Sequence, residues 1–449
     1  MKSIHWFAHA ALLYAFPGLF FEPFAGDVVP SNEAIKAAVA KSLPLLETGA
    51  RGSMEKRNQC FTCHNQALPV MALTTARSRG ITIDVENLRR QVQFTADFLE
   101  KNRTNYLAGR GQGGQALTAG YALWTLEMGG WKSDETTDAV AEYLLKFQND
   151  LDHWKPQTVR PPSEGSLFTV SYVALRGLKR FGTTGQQNRI LQRTAQVRQW
   201  LLNTPAQDTE DRVFRLRALH VAEAPSDEIH GAAQDLLKTQ RADGGWAQLA
   251  GLESDAYATG TALVALHQAG GVTTVDPVYR NGLRFLLAKQ LDDGSWHVST
   301  RSTPIQTYYE SGYPHGEDQF ISITAAGWAT TALALALPVA QANAAELDEP
   351  IRTGIEQTSA HFPGTKSAWF GFDRYDFTVD NRPVLVVAPK TNAPGIPWVW
   401  HGEFFGHKPN PDLALLGRGF HVVYMSVPDM LGSPGAVGHW NTFYRELTE

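Results

Sequence analysis

The chain's only two cysteines lie three positions apart in Cys60-Phe61-Thr62-Cys63-His64. A C-x-x-C-H run is the attachment signature of c-type haem: two thioethers fix the porphyrin, and the histidine directly after them reaches the iron. On that reading Cys60 and Cys63 hold haem c and His64 ligates its iron, with Met54, Met71 or Met128 as candidates for the distal position. The same residues support two other chemistries. An exported dithiol oxidises readily, which would make Cys60 and Cys63 a structural or redox-active pair. Cys60, Cys63 and His64 are also three ligands of a metal site that would need a fourth.

A second candidate lies near the carboxyl end. Arg382 to Ala388 reads as a buried strand, and a loop rich in Pro, Gly and Trp follows it through Gly406. A helix over 411–418, a second buried strand over 421–427 and a last helix from Ala436 complete the pattern. Strand, loop, helix, strand and helix predict α/β architecture with a parallel sheet. With Trp398-Val399-Trp400-His401-Gly402-Glu403-Phe404-Phe405-Gly406 in the loop, the segment resembles the opening part of an α/β-hydrolase. The resemblance implies that this loop makes half of an oxyanion hole, with the backbone N–H of Gly402 or Glu403 as donor. The plainer alternative is an aromatic loop that only packs. No Gly-x-Ser-x-Gly occurs in the chain, so 364–449 is expected to be an incomplete hydrolase-like domain that continues past Glu449.

The elements that must position these residues are bounded by composition. At 449 residues the chain exceeds what one core usually organises, unless repeats extend it. Hydrophobic content of 43% and charged content of 19% describe a folded protein, and a net charge of −5 leaves no basic footprint for nucleic acid. Lys2, the apolar run from Trp6 to Phe21 and the Phe24-Ala25-Gly26 region read as a secretory signal peptide over 1–25. Export, to the periplasm or cell envelope, suits haem attachment, which c-type cytochromes undergo on the far side of the membrane. The mature protein is then soluble or peripherally attached to a membrane.

Internal repeats organise residues 31–345. Leu144 to Gln148, Leu236 to Gln240 and Leu286 to Gln290 align without gaps, and each Gln precedes a Trp by six residues: Trp154, Trp246 and Trp296. Amphipathic, charged helices such as 87–101 and 134–148 suit an outer layer. Helices rich in small apolar residues, around 118–123, 168–178, 258–263 and 324–337, suit an inner one, with 60–79 and 211–222 in the same slot. About six such helix pairs can close into an α/α ring. Gln side chains at helix ends can bond orphan backbone groups, Gly permits positive φ, and Trp covers the junction.

Gln240 to Trp246 (QRADGGW) and Gln290 to Trp296 (QLDDGSW) resemble the QW repeats of squalene–hopene cyclases and related prenyltransferase-repeat proteins. The resemblance implies a mainly α, toroidal fold over 31–345, a linker over 346–363 and then the α/β segment. Cyclases of this kind protonate an alkene with an Asp-x-Asp-Asp acid at an inner-helix start, in an aromatic cavity that excludes water. Here the nearest match is Glu253-Ser254-Asp255-Ala256, in which Asp255 alone keeps its type. Asp208 and Glu210-Asp211 form a second acidic cluster whose simplest role is to complement a helix dipole. The expectation is a non-cyclising, haem-bearing toroid. Its alternatives are a terpenoid cyclase and a scaffold whose cavity holds an apolar or saccharide ligand.

Overall fold

A computed structural model describes residues 29–340, apart from 305 and 306, and residues 362–448, apart from 390, 391, 394, 395, 402–404, 408, 429 and 431. The expected leader, and nearly all of the expected linker, lie outside these residues. The chain is mainly helical with a small carboxy-terminal sheet, and it divides into two compact units, Met1–Ala342 and Asn343–Glu449.

In the first unit, outer and inner helices alternate. The outer helices are α1 (Asn32–Lys56), α3 (Val85–Lys101) with the short α4 (Arg103–Leu107), α6 (Glu135–Lys146), α8 (Gln187–Asn203), α10 (Ser226–Leu237) and α12 (Pro277–Lys289). The inner ones are α2 (Leu68–Ser78), α5 (Gln115–Met128), α7 (Leu167–Phe181), α9 (Thr209–Val221), α11 (Ala256–Gln268) and α13 (Gln319–Leu335). Outer α3 buries a stripe of Leu88, Val92, Ala96 and Leu99, whereas inner α5 is buried continuously from Ala116 to Leu126. Many starts carry side-chain caps: Asp84 accepts from the Asn87 N–H at 2.9 Å, and Asp134 forms a capping box with Thr137.

Each inner helix packs on the next, from α2 through α5, α7, α9 and α11 to α13, and α13 packs back on α2. Small residues allow this closeness. A Cβ built on Gly120 would stand 2.6 Å from Val173, and one on Gly260 2.8 Å from the backbone of Trp328 and Ala329. Paired positions advance together, Glu210 with Thr169 and Tyr257, then Arg217 with Tyr172 and Gln268, so α7, α9 and α11 run parallel.

The turns between pairs show what the repeated Gln and Trp do. Gln240 Nε2 donates to Gly244 O at 2.8 Å and Val278 O at 2.9 Å; Gln290 Nε2 does the same to Gly294 O at 3.0 Å and Ala38 O at 2.9 Å. Both glycines have positive φ, 85° and 94°. Trp246 and Trp296 are buried, and each indole N–H bonds a carbonyl of the preceding outer helix, Leu236 and Leu286.

The second unit corrects the sheet expected there. Strands β1 (Thr365–Trp369), β2 (Phe372–Val379), β3 (Arg382–Ala388), β4 (Trp398–His401) and β5 (His421–Met425) lie in the order β1-β2-β3-β5-β4. Only β4 and β5 are parallel; the other three pairings are antiparallel. Short turns join β1 to β2 and β2 to β3, the latter through Asp380-Asn381, both at positive φ, and among the described residues β4 leads to β5 through the helical crossover α14 (Asn410–Leu416). Trp398 to His401, expected within a loop, is a strand. Helix α15 (Pro434–Thr448) closes the unit, with Phe443 buried against Val386, Val423 and Met425.

Candidate functional site

The C-x-x-C-H run bridges the end of α1 and the start of α2. Cys60 N–H donates to Arg57 O at 2.9 Å, Thr62 is extended, and a π-helical turn over Cys63–Ala67 leads into α2. Buried polar residues anchor it. Gln66 Oε1 accepts from the Thr62 N–H at 2.8 Å, and Asn65 Nδ2 donates to Gly49 O at 3.1 Å. Both cysteines are free thiols; Cys60 is exposed and Cys63 half-buried. Burial, and then the charge of Glu164, push the Cys63 thiol far above its usual range. The His64 ring meets the edge of Phe320 at 5.1 Å. Burial, aided by Arg160 and Arg57, pushes His64 down to about 3, so its imidazole is neutral at physiological pH. Among the described residues, no group of three or more His, Cys, Asp or Glu side chains is arranged to hold a metal ion.

Asp255 is the N-cap of α11. Its Oδ1 accepts from the Ala258 N–H at 2.8 Å, and its Oδ2 accepts from Gln248 Nε2 at 2.9 Å. Gln248 in turn accepts from Arg301 Nε at 2.8 Å. Burial raises the Asp255 carboxyl against these lowering bonds. Glu253, its neighbour in the motif, is exposed.

The buried acid of the interior is Glu210. It is 4% exposed and accepts from Thr169 Oγ1 at 2.7 Å and from Tyr257 Oη at 2.9 Å. Burial outweighs these two bonds and, with the charges of Asp208 and Asp211, pushes its carboxyl up to about 8. It is therefore mostly protonated at pH 7. Asp208 does act as a helix cap, accepting from the Asp211 N–H at 3.0 Å, but Glu210 turns inward. The signal was its spacing: Glu210, Val213, Phe214 and Arg217 share one helical face.

Below Glu210 the interior is filled. Trp124 meets Tyr172 at 5.6 Å, Tyr172 meets Phe214 at 5.5 Å, and Trp328 meets Trp124 at 6.0 Å and Phe214 at 6.3 Å. Helix α13 neighbours neither α5 nor α9 in the packing order, so the Trp328 contacts cross the middle of the unit. Arg217 lies among all four rings. Two clefts, of about 180 and 170 Å³, lie elsewhere, beside Trp131 and beside Leu191.

No family model matches the chain. Over 108 residues it is 34% identical to the lanosterol synthase of Saccharomyces cerevisiae, a stretch that makes up 24% of this chain. The chain thus spans 14% of the length of the curated relative it matches. Among solved structures, it is similar to the type II terpene cyclase MstE from Scytonema in its apo form, with 16% identity and a TM-score of 0.44 over 69% of this chain and 100% of that one. A variant of MstE in complex with merosterolic acid A gives 14% identity and a TM-score of 0.44 over 70% of this chain and 100% of that one.

In the second unit, Gly402 and Glu403 lie outside the described residues. The strand that leads to them ends at His401, whose Nδ1 stands 3.1 Å from the carboxylate of buried Asp412 on α14.

Proposed function

We propose that this chain is an exported α/α toroid of the squalene cyclase and prenyltransferase-repeat kind that does not cyclise, carries a c-type haem, and is joined to an α/β-hydrolase-like domain. The packing order of the inner helices, which returns to its start, supports the toroid. Against cyclisation stand the filled interior, which leaves the four rings and Arg217 where a folded substrate would lie, and the use of Asp255 as a helix cap.

The observation that supports the haem assignment is the motif itself, two cysteines not joined to each other and a histidine directly after the second on the turn that opens α2. The residue types present match the group: Cys60 and Cys63 would be the thioether anchors and His64 the iron ligand. When bound, such a haem supplies one-electron chemistry at a potential set by its axial ligands. What the chain itself does is hold the ligand still. The Phe320 edge and the buried Asn65 and Gln66 bonds fix the turn from which His64 projects.

For the second unit, the β4–α14–β5 crossover supports the hydrolase-like reading, with Gly402 or Glu403 as the oxyanion donor. The test of the central assignment is whether protein exported from cells with a haem-ligation system keeps its pigment through acid–acetone extraction. If it is instead colourless with Cys60 and Cys63 joined, the chain is a ligand-binding toroid for an apolar or saccharide molecule, with a disulfide at its rim.

A further inference from the structure

Arg217 is 3% exposed, yet among the described residues no carboxylate stands within ion-pair distance of it. Its Nη2 donates to Tyr172 Oη at 2.8 Å and to Gln268 Oε1 at 3.2 Å, while Nε and Nη1 have no hydrogen-bond partner among the described residues. A buried, unpaired guanidinium is unstable unless something replaces its lost hydration. What surrounds it is aromatic. The guanidinium carbon lies 4.8 Å from the Tyr172 ring centroid, 5.1 Å from Trp124, 5.4 Å from Trp328 and 5.9 Å from Phe214. These rings come from four inner helices, and each is within the range at which a ring quadrupole attracts a cation.

The charges nearby point the same way. Arg176 pairs with Glu127 at 2.6 Å and also donates to Tyr172 Oη at 2.8 Å. Two guanidiniums therefore share the Tyr172 phenol oxygen, and of the two only Arg176 has a carboxylate partner. Burial works to raise the Tyr172 phenol, but Arg176 and Arg217 outweigh it, and its pKa falls below the ordinary value. Burial, and then the charge of Glu210, push Tyr121 and Tyr257 well above theirs.

We propose that the interior of the helical unit is an organic-cation site, an aromatic box of Trp124, Tyr172, Phe214 and Trp328 closed by the Tyr172 oxygen and Gln268, and that the chain fills it with its own Arg217. The ligand class is an alkylguanidinium or an ammonium of similar size. The proposal rests on the packing of the first unit alone, so it stands or falls separately from the haem.

Arg217→Ala should leave the box empty and restore its affinity for an added cation. In thermal melts at matched ionic strength, millimolar ethylguanidinium should raise the melting temperature of Arg217→Ala saturably, by a few degrees, and leave the wild type unmoved. Absence of a saturable rise in the folded variant overturns the proposal. So does an equal rise with neutral ethylurea, which would mark a cavity selective for shape and not for charge. Where Arg217→Ala does not fold, Arg217→Met decides: a neutral filler of similar length should melt below the wild type if the box favours a cation. A Met variant that melts at or above the wild type overturns the proposal.

Discussion

Tyr257 on α11 donates its hydroxyl hydrogen to Glu210 on α9 at 2.9 Å, tying two inner helices through one buried bond. Because the Glu210 carboxyl is raised from 4.5 to about 8, it carries its proton in the folded protein where the unfolded chain has lost it. Its contribution to stability is complete below pH 4.5, declines as pH rises towards 8, and is lost above that. The fall should be on the order of a few kcal/mol. Glu210→Gln, neutral at every pH, should remove this slope. Urea unfolding at pH 5 and pH 8.5 would show it, and an unchanged slope in the variant would place the titrating group elsewhere.

Trp246→Ala should cost ~3 kcal/mol or more, because the indole is fully buried and its N–H is bonded to Leu236 O. Denaturant titration gives the value directly. A loss below ~1 kcal/mol would mean that the turn, and not the ring, carries the junction.

These two residues differ in how far the sequence disclosed them. Trp246 was legible because Gln240, Gly244 and Trp246 act within one turn, and their spacing recurs at Gln290, Gly294 and Trp296. The small-residue inner helices were legible for a similar reason, since Gly120 and Gly260 mark close approach on any partner. In the sequence Glu210 reads as a dipole complement, because its burial comes from α7 and α11, which only the packing of the inner helices brings against it. The aromatic box is further from view, since Trp124 and Trp328 lie on helices that are not successive. In the second unit, the buried runs of β3 and β5 were plain, but a continuous apolar run does not say whether its neighbour is parallel.

Gly260→Ala should destabilise the first unit by ~1–3 kcal/mol, since its Cβ would press on the backbone of α13 and no rotamer change relieves it. Far-UV circular dichroism during denaturation would report the loss. A neutral outcome would show that α11 and α13 can separate freely.

Asp255→Asn should keep the fold with little loss, because asparagine also caps helices, whereas Asp255→Ala should cost ~1 kcal/mol. Neither variant is expected to change turnover of squalene-like substrates, because the wild type should form no polycyclic product from them. Detection of any such product by mass spectrometry would overturn the non-cyclising reading and return Asp255 to candidacy as its acid.

The most direct measurement is the pyridine haemochrome spectrum of full-length protein exported by cells with a haem-ligation system, taken after acid–acetone extraction. Covalent attachment through Cys60 and Cys63 predicts a c-type spectrum that survives extraction. It should be absent from the Cys60→Ala, Cys63→Ala double variant, while His64→Ala should keep the pigment with altered ligation. A colourless wild type, with Cys60 and Cys63 recovered as a disulfide, would contradict the account and leave the helical unit without a cofactor.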